Sequence, residues 1–285
     1  MDSGVSERSA TGSSTAGAVA GAGEGAGEIG GEVVLTKLPP IAILRLGDSA
    51  ERIVTLTERR MNSMIRALDS IANDPNIQGV VIASVVPPLD RQLAEVSRRY
   101  FESEALFVSV DLDLGLKVVI DNPREAGADR LANAAAAFAK YGGPCVVVDL
   151  GTTINFDVAS AEGDFLGGVF IPGIGIAISG LFEKTARLPL VDFRAPSRLI
   201  GTNTVACIQS GLYYSIIDSI DGILSRLIVE LGPGTHIVGT GGQAKLIVNG
   251  SKYLKIVDEN LTLDGVRRIW ERNRPQKDDC RRELL

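Results

Sequence analysis

Four short stretches bring carboxylates, hydroxyls and glycines together in patterns that can do chemistry. In Val146-Val147-Val148-Asp149-Leu150-Gly151-Thr152-Thr153 an apolar run ends in a carboxylate and then in Gly-Thr. A carboxylate at a strand end can hold a metal ion or its water. The glycine turn lets backbone approach a phosphate closely, and the Thr152 hydroxyl can donate to it. The same pattern also describes an ordinary hairpin with a turn-stabilising Asp. Gly239-Thr240-Gly241-Gly242 follows a strand and precedes a helical segment, which suits a nucleotide because glycine lets the chain pass close to a ribose or base. Asn122-Pro123-Arg124-Glu125-Ala126-Gly127-Ala128-Asp129-Arg130 sets an acid and a base beside a tight turn at a helix start. There Asp129 can act as general base toward a substrate hydroxyl, and Arg130 can bind a substrate carboxylate. A capping Asp with a surface ion pair is the plainer alternative. In Ile200-Gly201-Thr202-Asn203-Thr204 the hydroxyls and the amide serve equally well as a helix cap or as a substrate contact.

The elements that must position these residues alternate between short apolar runs and longer helical patterns, which is an α/β signature. Gly79 to Ser84 reads as a strand, with a helix following through Leu93, Val96 and Tyr100. Asp129 to Lys140 is dense in alanine and predicts a tightly packed helix with Asp129 at its positive end. Strands are expected at Cys145 to Asp149, Thr153 to Val158 and Asp164 to Phe170, then a helix around Ile178 to Ala186. A helix from Thr204 to Leu231, a strand at His236 to Val238 and a last helix near Leu263 to Arg272 complete the folded part. Residues 1–31, rich in Gly and Ala, read as a disordered leader without a secretory pattern, and 275–285 as a charged tail.

Composition removes several function classes. With 35 acidic and 29 basic side chains, the net charge of −6 provides no positive field for nucleic acid, so no nucleic-acid partner is expected. Cys145, Cys207 and Cys280 have neither disulfide nor zinc spacing, which fits a reducing, cytoplasmic setting. His236, the sole histidine, sits at a turn and reads as a loop or core residue rather than a catalytic one. No stretch reaches the ~18 to 20 apolar residues of a membrane span, so no membrane partner is expected.

Taken together and in this order, the four segments resemble the type III pantothenate kinases of the actin-like and sugar kinase superfamily. The resemblance runs from about Gly79 to Asn273. It includes Ala83-Ser84-Val85-Val86-Pro87-Pro88, Asp121 to Asn133, Asp149 to Pro172, Thr185 to Pro189, Gly201 to Gly211 and Leu261 to Gly265. It implies a two-lobed actin-like (ribonuclease H-like) α/β kinase, with lobes over 33–141 and 142–274 and the last helix crossing back to the first lobe. The implied activity is ATP-dependent phosphorylation of pantothenate to 4′-phosphopantothenate, which opens coenzyme A synthesis. The resemblance further implies Asp129 as the base, with Gly127, Ala128, Asp129, Arg130 and Thr204 as pantothenate contacts. Thr152 is implied at the ATP phosphates, Asp149 at a monovalent cation (potassium or ammonium), magnesium with the ATP, and a homodimer.

Two features depart from the family pattern. The family opens with a strand ending in Asp-x-Gly-Asn-Thr, and no such sequence occurs here. The nearest equivalent, Leu44-Arg45-Leu46-Gly47-Asp48-Ser49, has Arg45 in the place of the loop's carboxylate. Residues 41 to 70 match equally well the later strand and helix of that lobe, with the phosphate loop lost. Ile120 stands where the family usually has an aromatic residue against pantothenate. An inactive paralogue that binds ligand or regulates is therefore the alternative to an active kinase.

Overall fold

The computed structural model describes residues 41–45, 52–56, 77–185 and 188–274. The leader, the Gly47-Asp48-Ser49 stretch, Ala186, Cys280 and the charged tail lie outside them. The elements are β1 (Ile41–Arg45), β2 (Arg52–Leu56), β3 (Val80–Ala83), α1 (Pro87–Phe101), β4 (Ala105–Phe107), β5 (Lys117–Val118) and α2 (Ala128–Tyr141). There follow β6 (Cys145–Leu150), β7 (Thr153–Ala159), β8 (Asp164–Pro172), α3 (Ile174–Lys184), α4 (Thr204–Leu231), β9 (His236–Thr240), α5 (Ala244–Ile247), β10 (Ile256–Val257) and α6 (Leu261–Asn273).

The result is a mixed α/β architecture, as the alternating pattern predicts. Most elements agree with the sequence expectation to within two residues. Of the elements expected, α3 differs most, starting at Ile174 rather than near Ile178, and β1, β2 and β4 are not individually expected. Gly173 supplies an extended N-cap and the helix runs on through Gly175, whose low helix propensity hides the true start in the sequence. The two-residue strands β5 and β10 and the single turn α5 are too short for any periodicity to mark them.

Two sheets form. One has four strands in the order β2-β1-β3-β4, the other six in the order β10-β9-β6-β7-β8-β5. In the six-stranded sheet β6 is central: it runs antiparallel to β7 and parallel to β9. Its alternation sorts side chains between two cores. Val146, Val148 and Leu150 pack with Ile216, Ile220 and Leu224 of α4, whereas Cys145 and Val147 pack with Ala136 and Ala137 of α2. Asp149 shares the Val147 parity and so belongs to the α2 face. In the four-stranded sheet β1 runs antiparallel to both β2 and β3, and β3 runs parallel to β4. Strand β3 shares the mixed pairing of β6 but leads into α1, and among the described residues no strand of this sheet both opens a hairpin and lies parallel to a neighbour, as β6 does.

The alanines of α2 serve a close helix contact. A Cβ on Gly265 of α6 would stand 2.0 Å from the Ala132 carbonyl oxygen, so the two backbones approach more closely than any larger residue allows. Through this contact Val266, Ile269 and Trp270 of α6 share one core with Leu131 and Ala135 of α2 and with Val81 and Ala83 of β3. The last helix thus packs on the four-stranded sheet.

Candidate functional site

The first turn of α2 rises beside the charged end of β6. Gly127 is its N-cap residue and has no side chain to cap the helix, and a Cβ there would lie 2.6 Å from Asp129 Oδ1. Glycine at 127 therefore makes room for the Asp129 carboxylate, which accepts the Arg130 backbone N–H at 2.8 Å. Burial pushes the Asp129 carboxyl above the usual carboxylate range, while that N–H and the Arg130 charge hold it partly down. Such a group is a better proton acceptor than a solvated Asp.

Asp149 faces it from β6. Its carboxyl is pushed up to about 6, first by burial and then by the charge of Asp129, with a hydrogen bond from Asn133 acting against the rise. Asn133 Nδ2 donates to Asp149 Oδ2 at 3.2 Å, and Thr262 Oγ1 of α6 donates to Asn133 Oδ1 at 2.7 Å. Asn133 is fully buried, so this relay fixes which way its amide points and hence the Asp149 carboxylate. The α2–α6 contact at Gly265 is what brings Thr262 within reach.

The glycine loop closes over Asp149 from the other side. Thr240 pairs with Asp149 in the parallel register of β9 and β6. At Gly241 the backbone is left-handed, with φ of +87°, and a Cβ would lie 2.6 Å from Asp149 Oδ1 and 2.7 Å from the Leu150 carbonyl oxygen. Glycine at 241 lets the loop backbone lie directly against these two oxygens, and a carboxylate with a carbonyl beside it suits a hard cation. No group of three or more His, Cys, Asp or Glu side chains gathers as a metal-binding set among the described residues. A cation here would therefore rest on one carboxylate with carbonyl and hydroxyl oxygens.

The Asp129 carboxylate at the start of α2, the Asp149 carboxylate at the end of β6 and the glycine loop against it thus gather in one place. Comparison with known proteins then decides the lineage. Residues 42–226 match the family model described as type III pantothenate kinase. The chain belongs to the type III pantothenate kinase family. It is similar to the type III pantothenate kinase of Solibacter usitatus (strain Ellin6076), 61% identical over 200 residues that cover 70% of this chain and 77% of that one. The corresponding kinase of Koribacter versatilis (strain Ellin345) is 55% identical, with 69% and 72% covered. That of Anaeromyxobacter sp. (strain Fw109-5) is 45% identical, with 77% and 87% covered. Among solved structures, a conserved Baf family protein from Campylobacter jejuni superposes with a TM-score of 0.49 at 21% identity, covering 78% of this chain and 91% of that one. That superposition is too loose to carry an argument.

Within this family member the structure brings together Gly127, Ala128, Asp129, Arg130 and Asp149 of the sequence-derived candidates. Thr152 is exposed in the β6–β7 turn, where Gly151 N–H donates to the Thr153 carbonyl at 3.0 Å. The turn rests on Gly173, whose Cβ would meet the Thr152 carbonyl oxygen at 2.2 Å. Thr204 opens α4, exposed, while Asn203 caps that helix by accepting the Ala206 N–H at 2.9 Å. No hydrogen bond or ion pair among the described residues joins Thr204 to the Asp129 group. Sequence reasoning passed over Asn133, Thr262 and Asp157. Asp157 is wholly buried in β7, and Arg130 Nε donates to its Oδ1 at 2.5 Å. A carboxylate within an otherwise apolar strand, Phe156-Asp157-Val158, was the signal that could have found it.

Proposed function

We propose that this chain transfers the γ-phosphoryl group of ATP to the 4′-hydroxyl of pantothenate, making 4′-phosphopantothenate in the first step of coenzyme A synthesis. The observation that carries this reading is the Asp129 carboxyl, raised by burial and set at the mouth of α2 opposite Asp149. Asp129 accepts the proton of the attacking hydroxyl. The backbone at Gly127 and Ala128 seats the substrate, the Arg130 guanidinium engages its carboxylate, and Thr204 contacts its other end. The Thr152 hydroxyl holds the ATP phosphates. Magnesium travelling with the ATP and a potassium or ammonium ion beside Asp149 would supply charge neutralisation of the phosphates, the main need of phosphoryl transfer. The Asp149 carboxylate and the Leu150 carbonyl beside Gly241 suit such an ion.

The same reading includes two actin-like lobes over 33–141 and 142–274, a cytoplasmic setting and a homodimer. Among the described residues no helix is long and apolar enough to cross a membrane. Leu181, Phe182, Leu199, Ile200 and Val205 are exposed on and between α3 and the start of α4, and an apolar surface of this kind favours a partner.

One observation favours a second reading, an inactive ligand-binding or regulatory paralogue. In the six-stranded sheet β6 opens the hairpin that carries Asp149 to Thr152 and lies parallel to β9, and among the described residues no strand of the four-stranded sheet does both. A counterpart is where a first phosphate loop would sit. The deciding experiment is ATP-dependent phosphorylation of pantothenate in potassium and magnesium by the purified chain beside Asp129→Asn. Turnover that the substitution abolishes supports the kinase. Absence of turnover in both, with pantothenate still bound by the wild type, selects the paralogue.

A further inference from the structure

Arg130 is held on three sides. Its Nε donates to Asp157 Oδ1 at 2.5 Å, and its guanidinium carbon lies 5.3 Å from the centre of the Phe165 ring and 4.6 Å from that of Phe170. The Asp157 side chain is 0% exposed and that of Arg130 15%. The two terminal guanidinium nitrogens make no hydrogen bond or ion pair with any described residue, so the clamp leaves the bidentate edge free.

The sheet builds this clamp by register. Val147 pairs with Asp157 and Asp149 with Asn155, so Asp157 shares the α2 face with Asp149, two residues further along the neighbouring strand. Gly168 pairs with Asp157 and Phe170 with Asn155, which places Phe170 on that face as well. Phe165 is five residues from Phe170 and would point the opposite way in a regular strand. The irregularity between Val158 and Ala159 skips Leu166 and pairs Phe165 with Ala159, which returns Phe165 to the α2 face. Nothing in the proposed chemistry requires a buried carboxylate here, and its Oδ2 has no hydrogen-bond partner. Burial pushes this carboxyl up to about 7 against the pull of Arg130, so ionised Asp157 is an expensive group for the fold to keep.

We infer that Asp157 is a positioning residue which, with Phe165 and Phe170, fixes the Arg130 guanidinium edge toward the carboxylate of the substrate and so sets the preference for an acid over its uncharged analogue. This rests on the reading of Arg130 as a substrate contact. Asp157 touches no substrate itself; it acts through Arg130.

The test is calorimetric binding of pantothenate and of pantothenyl alcohol, in which CH2OH replaces the carboxylate, to the full chain. The wild type is expected to prefer the acid by roughly 10- to 100-fold, the range of a charge-assisted hydrogen bond. In Asp157→Asn that preference should collapse to the level of Arg130→Met, with affinity for the alcohol unchanged within about two-fold. Adding Asp157→Asn to Arg130→Met should change nothing further. Phe170→Leu alters an exposed ring, leaves the core alone and should lower the preference part-way, which keeps the test open if Asp157→Asn does not fold. Equal weakening of both ligands, or a preference unchanged in Asp157→Asn or in Phe170→Leu, overturns the inference. A wild type that binds pantothenate without preferring it to the alcohol instead removes the substrate role of Arg130, and a wild type that binds neither ligand removes the pantothenate reading itself.

Discussion

The two ends of α2 treat charge in opposite ways. At its start, Asp129, Asp149 and Asp157 crowd one half-dry corner, two of them pushed to about 6 and about 7, with Asp157 Oδ2 unpartnered. At its last turn, Lys140 Nζ donates to Asp258 Oδ2 at 2.6 Å and Tyr141 Oη donates to the same oxygen at 3.1 Å. Burial alone would raise Asp258, but these two donors outweigh it and hold its carboxyl below the usual range. The C-terminal end is arranged for stability. The N-terminal end forgoes stability by burying three carboxylates with few partners, an arrangement that perturbed functional groups often share.

Four measurements bear on that contrast. The largest effect is expected for Asp129→Asn, which should lower turnover by about 10²- to 10⁴-fold, the usual contribution of a general base, while pantothenate still binds. A variant that keeps its rate would place the working carboxylate elsewhere in the corner. The second is the pH dependence of stability. A carboxyl raised to about 6 binds its proton more tightly folded than unfolded, so Asp149 lowers stability as pH rises from about 4 to about 6, and the penalty is then constant. Relative to wild type, Asp149→Asn should therefore gain roughly 2 kcal/mol between pH 4 and pH 8 in denaturant melts free of potassium and magnesium. An unchanged difference across that range would deny the strain.

Third, Gly241→Ala would set a Cβ against Asp149 Oδ1 at a left-handed backbone position. It should lower the melting stability by about 1 to 3 kcal/mol and weaken ATP binding, both read by thermal melts with and without nucleotide. Smallest is the change at the other end. Lys140→Met should cost about 0.2 to 1 kcal/mol at pH 7 and leave turnover intact. Because the Asp258 carboxyl is depressed, its stabilisation exists above the ordinary carboxylate pKa and is lost as pH falls through the folded value, so this small difference should vanish in acid. An effect on turnover would mean the two ends are coupled.

Local pattern carried much of this architecture. The alanine run of α2, the alternation of β6 and β7 and the unbroken apolar pattern of α4 each predicted their elements closely, because periodicity reports which face a segment buries. The short pieces escaped notice, since two to four residues of β5, β10 or α5 cannot display a period. Asp129 and Asp149 stood out as carboxylates beside glycine turns. Asn133 and Thr262 did not, because nothing local distinguishes a buried polar residue in a helix from a surface one, and Asp157 carried only the faint mark of a carboxylate between Phe156 and Val158.

The sequence by itself determined the element types, the family and the set of groups that can do the chemistry, since these depend on residue type and on spacing along the chain. Only the tertiary structure decided that Thr262 orients Asn133 across the Gly265 contact. It alone decided that Gly241 lies directly against Asp149 and that a skipped residue in β8 turns Phe165 onto Arg130. Those facts depend on distances between segments far apart in the chain and on strand register, where a shift of one residue reverses the face on which a side chain lies.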